Sequence, residues 1–319
     1  MRKKLILRIG IDCVVGYAAV AVIGGVFLAE VTLHPGRLPL PAGAGAQARE
    51  MATRLDAGLA DVSIAASDGV TLRAWSMRPR RGNGSAAIVL HGLSDNRLGT
   101  TSYAELLLRH GFSVLMPDAR AHGTSGGELA TYGLLEAGDI YQWLDWLVRN
   151  EHPSCIFGLG ESMGAAQLLQ SLRTEARFCA VAAESSFASF REIGYDRVGQ
   201  RFGTGPWLGR TVLRPVVEVA FAYAKWTYKL DFEQLSPEEA LAATRIPILL
   251  IHGQSDSNIP VRHSRRIAAR NPGVELWEVP DADHCGAIST APEEFAQKLT
   301  HWFDSHPNVP KALAVKTGN

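Results

Sequence analysis

Residues 155–170 read Cys-Ile-Phe-Gly-Leu-Gly-Glu-Ser-Met-Gly-Ala-Ala-Gln-Leu-Leu-Gln, and the reading of this stretch decides the fold. Its first part, Cys155 to Leu159, is an apolar run with the length of a strand buried on both faces. From Ala165 to Thr174 the chain carries helix formers and neither Gly nor Pro. Between the two, Gly160-Glu161-Ser162-Met163-Gly164 fits G-x-S-x-G. The pattern is weak alone and gains weight from its strand-turn-helix setting. So sharp a turn crowds together the positions two before and two after the serine, and Gly160 and Gly164 leave room there.

Further apolar runs of strand length occur at Ala86 to Leu90, Ser113 to Met116, Cys179 to Ala183, Ile248 to Ile251 and Glu275 to Val279. Val62 to Ala65 and Val70 to Met77 flank the turn residues Ser67-Asp68-Gly69 and read as a hairpin. Helical stretches alternate with the strands: Thr101 to His110, Leu135 to Asn150, Val261 to Arg270 and Pro292 to Phe303. Such alternation predicts an α/β fold: a mostly parallel eight-stranded sheet with helices on both faces, opened by an antiparallel hairpin.

A serine hydroxyl is a poor nucleophile at neutral pH, so it needs an imidazole to take its proton and a carboxylate to fix the imidazole tautomer. His284 lies in the loop Asp281-Ala282-Asp283-His284-Cys285-Gly286 after the last apolar strand, where a side chain can reach over the carboxyl edge of the sheet. His91 and His252, each in a His-Gly pair, and His122 are read as shaping loops. Asp256 follows the penultimate strand and gives the chain order serine, acid, histidine. Glu184 is the alternative acid; Asp283 is badly placed for its neighbour's ring, and Asp118 is read as tying down its loop. Backbone donors for an oxyanion fall at Met163, after the serine, and at Leu93 in His91-Gly92-Leu93-Ser94.

The blocks LHGLSDNR, MPDARAHGTSGG, GLGESMGAAQ, PILLIHGQSDSNIP and DADHCG, spread from residue 61 to about 303, resemble those of the α/β-hydrolase superfamily. The likeness runs closest to bacterial membrane-anchored hydrolases of the serine aminopeptidase and Bem46-like groups. It implies the α/β-hydrolase fold and a hydrolase of esters, thioesters or amides with the triad Ser162, Asp256 and His284, and leaves the substrate open. The same triad in an acyltransferase, or the fold without turnover, are the alternatives. A serine at the sharp turn of Gly160 to Gly164 argues against the dehalogenases and epoxide hydrolases of the superfamily, which use aspartate.

Between Glu184 and Ile246 about sixty residues interrupt the sheet pattern, too many for a plain connection. A helical cap insertion is expected over about 187–240, rich in aromatic side chains from Phe187 to Phe232. Such aromatics are more often packing than substrate slot; the functional reading is an apolar acyl pocket.

At the other end, Arg2, Lys3, Lys4 and Arg8 precede the uncharged run Cys13 to Ala29. That run predicts a single transmembrane anchor over 1–33, with a cytoplasmic N-terminus and the catalytic body on the non-cytoplasmic side of the membrane. The alternatives are a cleaved signal peptide, for which the run is long and Phe27 poorly placed, and a buried core helix. A linker is expected over 34–60, the main domain over 61–305 and a tail over 306–319. Across all 319 residues, 32 basic side chains balance 32 acidic ones, which excludes the basic excess a nucleic-acid partner calls for. The expected partners are a small-molecule or acyl substrate and the membrane. No Cys or His spacing suggests a metal, and no cofactor is implied. Cys155 and Cys179 begin runs read as neighbouring strands, so a disulfide stays open, although buried free thiols are the commoner state.

Overall fold

The protein is described from a computed structural model covering residues 2–307. The tail expected over 306–319 lies outside the described residues from 308 onward. The strands are β1 (Ala57–Ala65), β2 (Thr71–Pro79), β3 (Ser85–Leu90), β4 (Ser113–Pro117), β5 (Cys155–Glu161), β6 (Phe178–Glu184), β7 (Ile248–Gly253) and β8 (Val274–Val279). They form one eight-stranded sheet in the order β1-β2-β4-β3-β5-β6-β7-β8. β1 and β2 form the antiparallel hairpin, β2 meets β4 antiparallel, and every other pair is parallel. The order reverses between β3 and β5, so loops leaving their carboxyl ends border the crevice in which sheets of this kind bind ligands.

Helices α1 (Arg2–Leu33) and α2 (Ala44–Arg54) precede the sheet, and α3 (Thr101–Arg109), α4 (Glu136–Asn150) and α5 (Met163–Ser171) follow β3, β4 and β5. Between β6 and β7 come α6 (Phe190–Arg201), α7 (Pro206–Arg210), α8 (Arg214–Tyr223) and the short α9 (Pro237–Ala240). Helix α10 (Arg262–Arg270) joins β7 to β8, and α11 (Ala287–Thr290) and α12 (Pro292–Asp304) are the last helices among the described residues.

Side chains alternate across the strands and feed two cores. Val89, Met116, Phe157, Leu159, Ala182 and Ile251 face one, shared with α2, α3 and α12. Ile88, Leu115, Ile156, Val181, Ala183 and Leu250 face the other, shared with α4, α5 and α10. Strands buried on both faces are what the unbroken apolar runs imply.

Two expectations change. The segment 34–60 is not a bare linker: it holds α2, whose Ala44, Ala48, Met51 and Ala52 fall on one helical face and are buried, and the first residues of β1. Cys155 and Cys179 are bonded to each other rather than free. They open adjacent strands with Cα atoms 5.9 Å apart, a separation a disulfide spans.

Residues 35–188 and 236–307 make the sheet unit, and residues 2–34 and 189–235 make a second compact unit. In the second, α1 is long and apolar enough to cross a membrane. Its first turns are exposed, while Ala21, Gly25, Ala29 and Leu33 form a buried stripe where α1 meets α8. A Cβ on Gly25 would lie 2.5 Å from that of Val219, so only glycine allows this approach. The Tyr17 hydroxyl donates to the Val212 carbonyl at 2.5 Å, and Tyr223 and Tyr228 each donate to Glu30 Oε1 at 2.7 Å. Within the insertion, Phe190, Phe221 and Phe232 pack on one another, with the Phe190 and Phe232 ring centroids 4.7 Å apart. Phe202, Trp207 and Trp226 are exposed.

Candidate active site

Ser162 sits between β5 and α5 with φ 51° and ψ −113°. A positive φ at a residue with a side chain is strained, and such strain clusters where a turn is functionally constrained. What sustains it is close packing. A Cβ on Gly160 would meet the Gly164 carbonyl oxygen at 2.6 Å, and one on Gly164 would meet the Leu90 carbonyl oxygen at 2.4 Å. The Ser162 N–H donates to the Glu184 carbonyl at 2.8 Å, tying the turn to the neighbouring strand. The serine side chain is thereby held at the carboxyl edge of the sheet, at the start of a helix.

Asp256 and His284 arrive on the loops after β7 and β8. Gly253 lets these loops pack closely, since a Cβ there would lie 2.2 Å from the Ala282 carbonyl oxygen. His284 Nδ1 lies 2.9 Å from Asp256 Oδ2, and His284 Nε2 lies 2.9 Å from Ser162 Oγ. Asp256 Oδ1 also accepts from the backbone N–H groups of Asn258 and Ile259, at 2.9 and 2.8 Å. Burial alone would raise the Asp256 pKa; bonds from His252 and His284 and from the Ile259 N–H outweigh it and hold the carboxyl far below its usual range. An ionised Asp256 accepts the Nδ1 proton of His284, which leaves Nε2 with a lone pair facing the serine hydroxyl. The arrangement can therefore draw a proton from Ser162 as its oxygen attacks an electrophile.

His252, read from sequence as a loop-shaping residue, has a second role here. Its Nε2 lies 2.7 Å from the Ile259 carbonyl and 3.2 Å from Asp256 Oδ2, while Nδ1 lies 2.7 Å from Ser264 Oγ. The one Nε2–H therefore points to the Ile259 carbonyl and lies within reach of the Asp256 carboxylate. Asp283 accepts from the N–H and hydroxyl of Ser257 and so ties the two loops together.

Glu184, the alternative acid, makes different bonds. Its Oε1 accepts from the Ala287 N–H at 2.9 Å and its Oε2 from the Tyr103 hydroxyl at 2.9 Å. Asp118 accepts from the N–H groups of Arg97 and Thr124 and holds its loop. His91 accepts from the Ala119 N–H and lies 2.7 Å from the Gly92 carbonyl through Nδ1, while burial and the nearby His122 push its pKa down to about 4. A neutral His91 thus braces the loop carrying Leu93. A Cβ on Gly92 would lie 3.6 Å from Ser162 Cβ, so this loop borders the serine. Met163 is the buried first residue of α5, and Leu93 is exposed.

Comparison with known proteins agrees with this architecture. Residues 87–298 match the profile of the Alpha/beta hydrolase family. The chain is 26% identical to the uncharacterized protein YqkD of Bacillus subtilis over 222 residues, 68% of this chain and 70% of that one. It is 29% identical to the uncharacterized protein YfhR of Escherichia coli over 240 residues, 72% of this chain and 74% of that one. Among solved structures, the esterase Pf2001 of Pyrococcus furiosus superposes with a TM-score of 0.67 at 25% identity, covering 87% of this chain and 99% of its own. With its sheet order, its strained serine turn and a family match over most of its length, this chain belongs to the alpha/beta hydrolase family.

Proposed function

We propose that the chain is a serine hydrolase that cleaves an ester, thioester or amide through an acyl-enzyme on Ser162. The observation that carries this reading is the bonded series Ser162, His284, Asp256 beneath a strained turn. Ser162 Oγ attacks the acyl carbonyl and passes its proton to His284 Nε2, while ionised Asp256 stabilises the imidazolium. The N–H groups of Met163 and Leu93 hold the oxyanion. His284 then returns the proton to the leaving group, and water enters by the same steps in reverse order to release the acid. An ester is the first substrate class to test, in keeping with the likeness to the Pf2001 esterase. Full-length chain should hydrolyse short aryl esters, and Ser162→Ala should abolish the turnover. Ester hydrolysis that persists in the variant refutes the assignment.

The same proposal places α1 in a membrane as a single-pass anchor, with the sheet unit on the non-cytoplasmic side. Support comes from the apolar length of α1, the basic residues at its start, and the Cys155–Cys179 disulfide, a bond that persists in oxidising compartments. Protease added to spheroplasts should digest the sheet unit; protection until the membrane is lysed would reverse the orientation.

A further inference from the structure

Directly before the nucleophile, Glu161 Oε2 lies 3.0 Å from the Tyr103 hydroxyl, and Glu184 Oε2 lies 2.9 Å from that same hydroxyl. A phenol has one proton to donate. If both carboxyls were ionised, one of them would face a phenol lone pair in a site where little water can screen the repulsion. With one proton added, every group is satisfied: the protonated carboxyl donates to Tyr103, and Tyr103 donates to the other. The better acceptor environment is that of Glu184, whose second oxygen takes the Ala287 N–H at 2.9 Å, whereas Glu161 Oε1 has the Gly92 N–H only at 3.4 Å. The extra proton therefore belongs on Glu161.

We propose that Glu161, Tyr103 and Glu184 form a proton-sharing carboxyl pair behind the serine, with Glu161 as a positioning residue that is neutral in the active state. The switching role rests on the serine-hydrolase reading; the shared proton does not. Glu161 adjoins Ser162 and bonds Gly92, the residue before the oxyanion donor assigned to Leu93. Its ionisation adds a negative charge beside the place where the transition state develops one, and so opposes catalysis.

The groups that face the pair act in both directions, and burial prevails at both carboxyls. Burial, the neighbouring Glu184 and Asp95 from the loop after β3 push Glu161 up to about 7, against the Tyr103 and Gly92 bonds. Burial raises Glu184 too, while the Ala287 N–H, Tyr103, His284 and His252 draw it down. Burial with the nearby carboxyls keeps Tyr103 and Cys285 in their protonated forms. A carboxyl raised in this way is neutral below about pH 7 and charged above it, so the switch closes as pH rises.

Hydrolysis of a short aryl ester by the full-length chain, followed from about pH 6 to about pH 9, reads the switch directly. Wild-type kcat/KM should fall on the alkaline side by about tenfold, the size of one modest electrostatic interaction with the transition state. Glu161→Gln mimics the protonated acid, donating to Tyr103 and accepting from Gly92, and should keep wild-type activity without the alkaline fall. Glu184→Gln leaves Tyr103 donating to an ionised Glu161 and should be depressed at every pH. A structural role alone would move none of these profiles, so superimposable curves for the three chains overturn the switching role. The wild-type chain should also show a protonated-carboxyl C=O stretch in the infrared that titrates near neutrality and is missing in Glu161→Gln. Lack of that band at pH 6 in the wild type refutes the shared proton whatever the activity. A titrating band in chains that hydrolyse nothing upholds the shared proton and overturns the switching role together with the hydrolase reading.

Discussion

The two units of this chain are built by different rules. In the sheet unit, backbone hydrogen bonds between parallel strands fix the register, and the loops at the carboxyl ends inherit their places from it. Ser162, Asp256 and His284 come from segments far apart in sequence, yet each is set by a strand end. In the other unit, α1 meets α8 through a stripe of small residues and a few tyrosine hydrogen bonds. Precision there comes from the absence of side chains. Gly25 admits Val219 because it has no Cβ, whereas Gly160 and Gly164 admit a backbone turn for the same reason.

The largest effect expected from this contrast belongs to Asp256. Asp256→Asn should keep the sheet unit folded yet lower kcat by about 10⁴-fold, because an amide favours the wrong imidazole tautomer. Glu184→Gln, which touches the serine turn without touching the histidine, should cost no more than about tenfold. Steady-state kinetics on the two variants at matched melting temperature check this. The reverse pattern would move the acid to the end of β6.

A smaller effect should appear in the other unit. Gly25→Leu forces a side chain into Val219 and should destabilise the contact of α1 with α8 by about 2 kcal/mol, as overpacking does. Limited proteolysis should then cut faster within residues 202–213, while the melting of the sheet unit stays unchanged. Equal cleavage rates would mean that the stripe contributes no packing energy.

What was legible in the sequence follows the same division. The central strands β3 to β7 are visible as apolar runs because burial on both faces removes polar residues, the β1–β2 hairpin only through its turn residues, and the serine turn because its sterics demand two glycines at fixed spacing. Helix α2 was hidden: its alanines at 44, 48 and 52 follow a Pro- and Gly-rich stretch and resemble linker composition, although with Met51 they keep a helical period. The disulfide was hidden because strand adjacency is not register, and only the register brings the Cys155 and Cys179 Cα atoms within 5.9 Å. Tyr103 was hidden for a related reason. Nothing local to α3 shows that its hydroxyl ends between two carboxyls contributed by β5 and β6. The His-Gly pair at His252 reads in the sequence only as a loop feature, since its closeness to Asp256 depends on how residues 253–259 fold back.

The measurement that bears most directly on the central claim is covalent. Full-length chain treated with a fluorophosphonate, digested and mapped by mass spectrometry should carry a single phosphonyl group on Ser162. The adduct should be lost in Ser162→Ala and form far more slowly in His284→Ala, because the imidazole that activates the hydroxyl is gone. An adduct on a different residue, or undiminished labelling of the Ser162→Ala chain, would contradict the account.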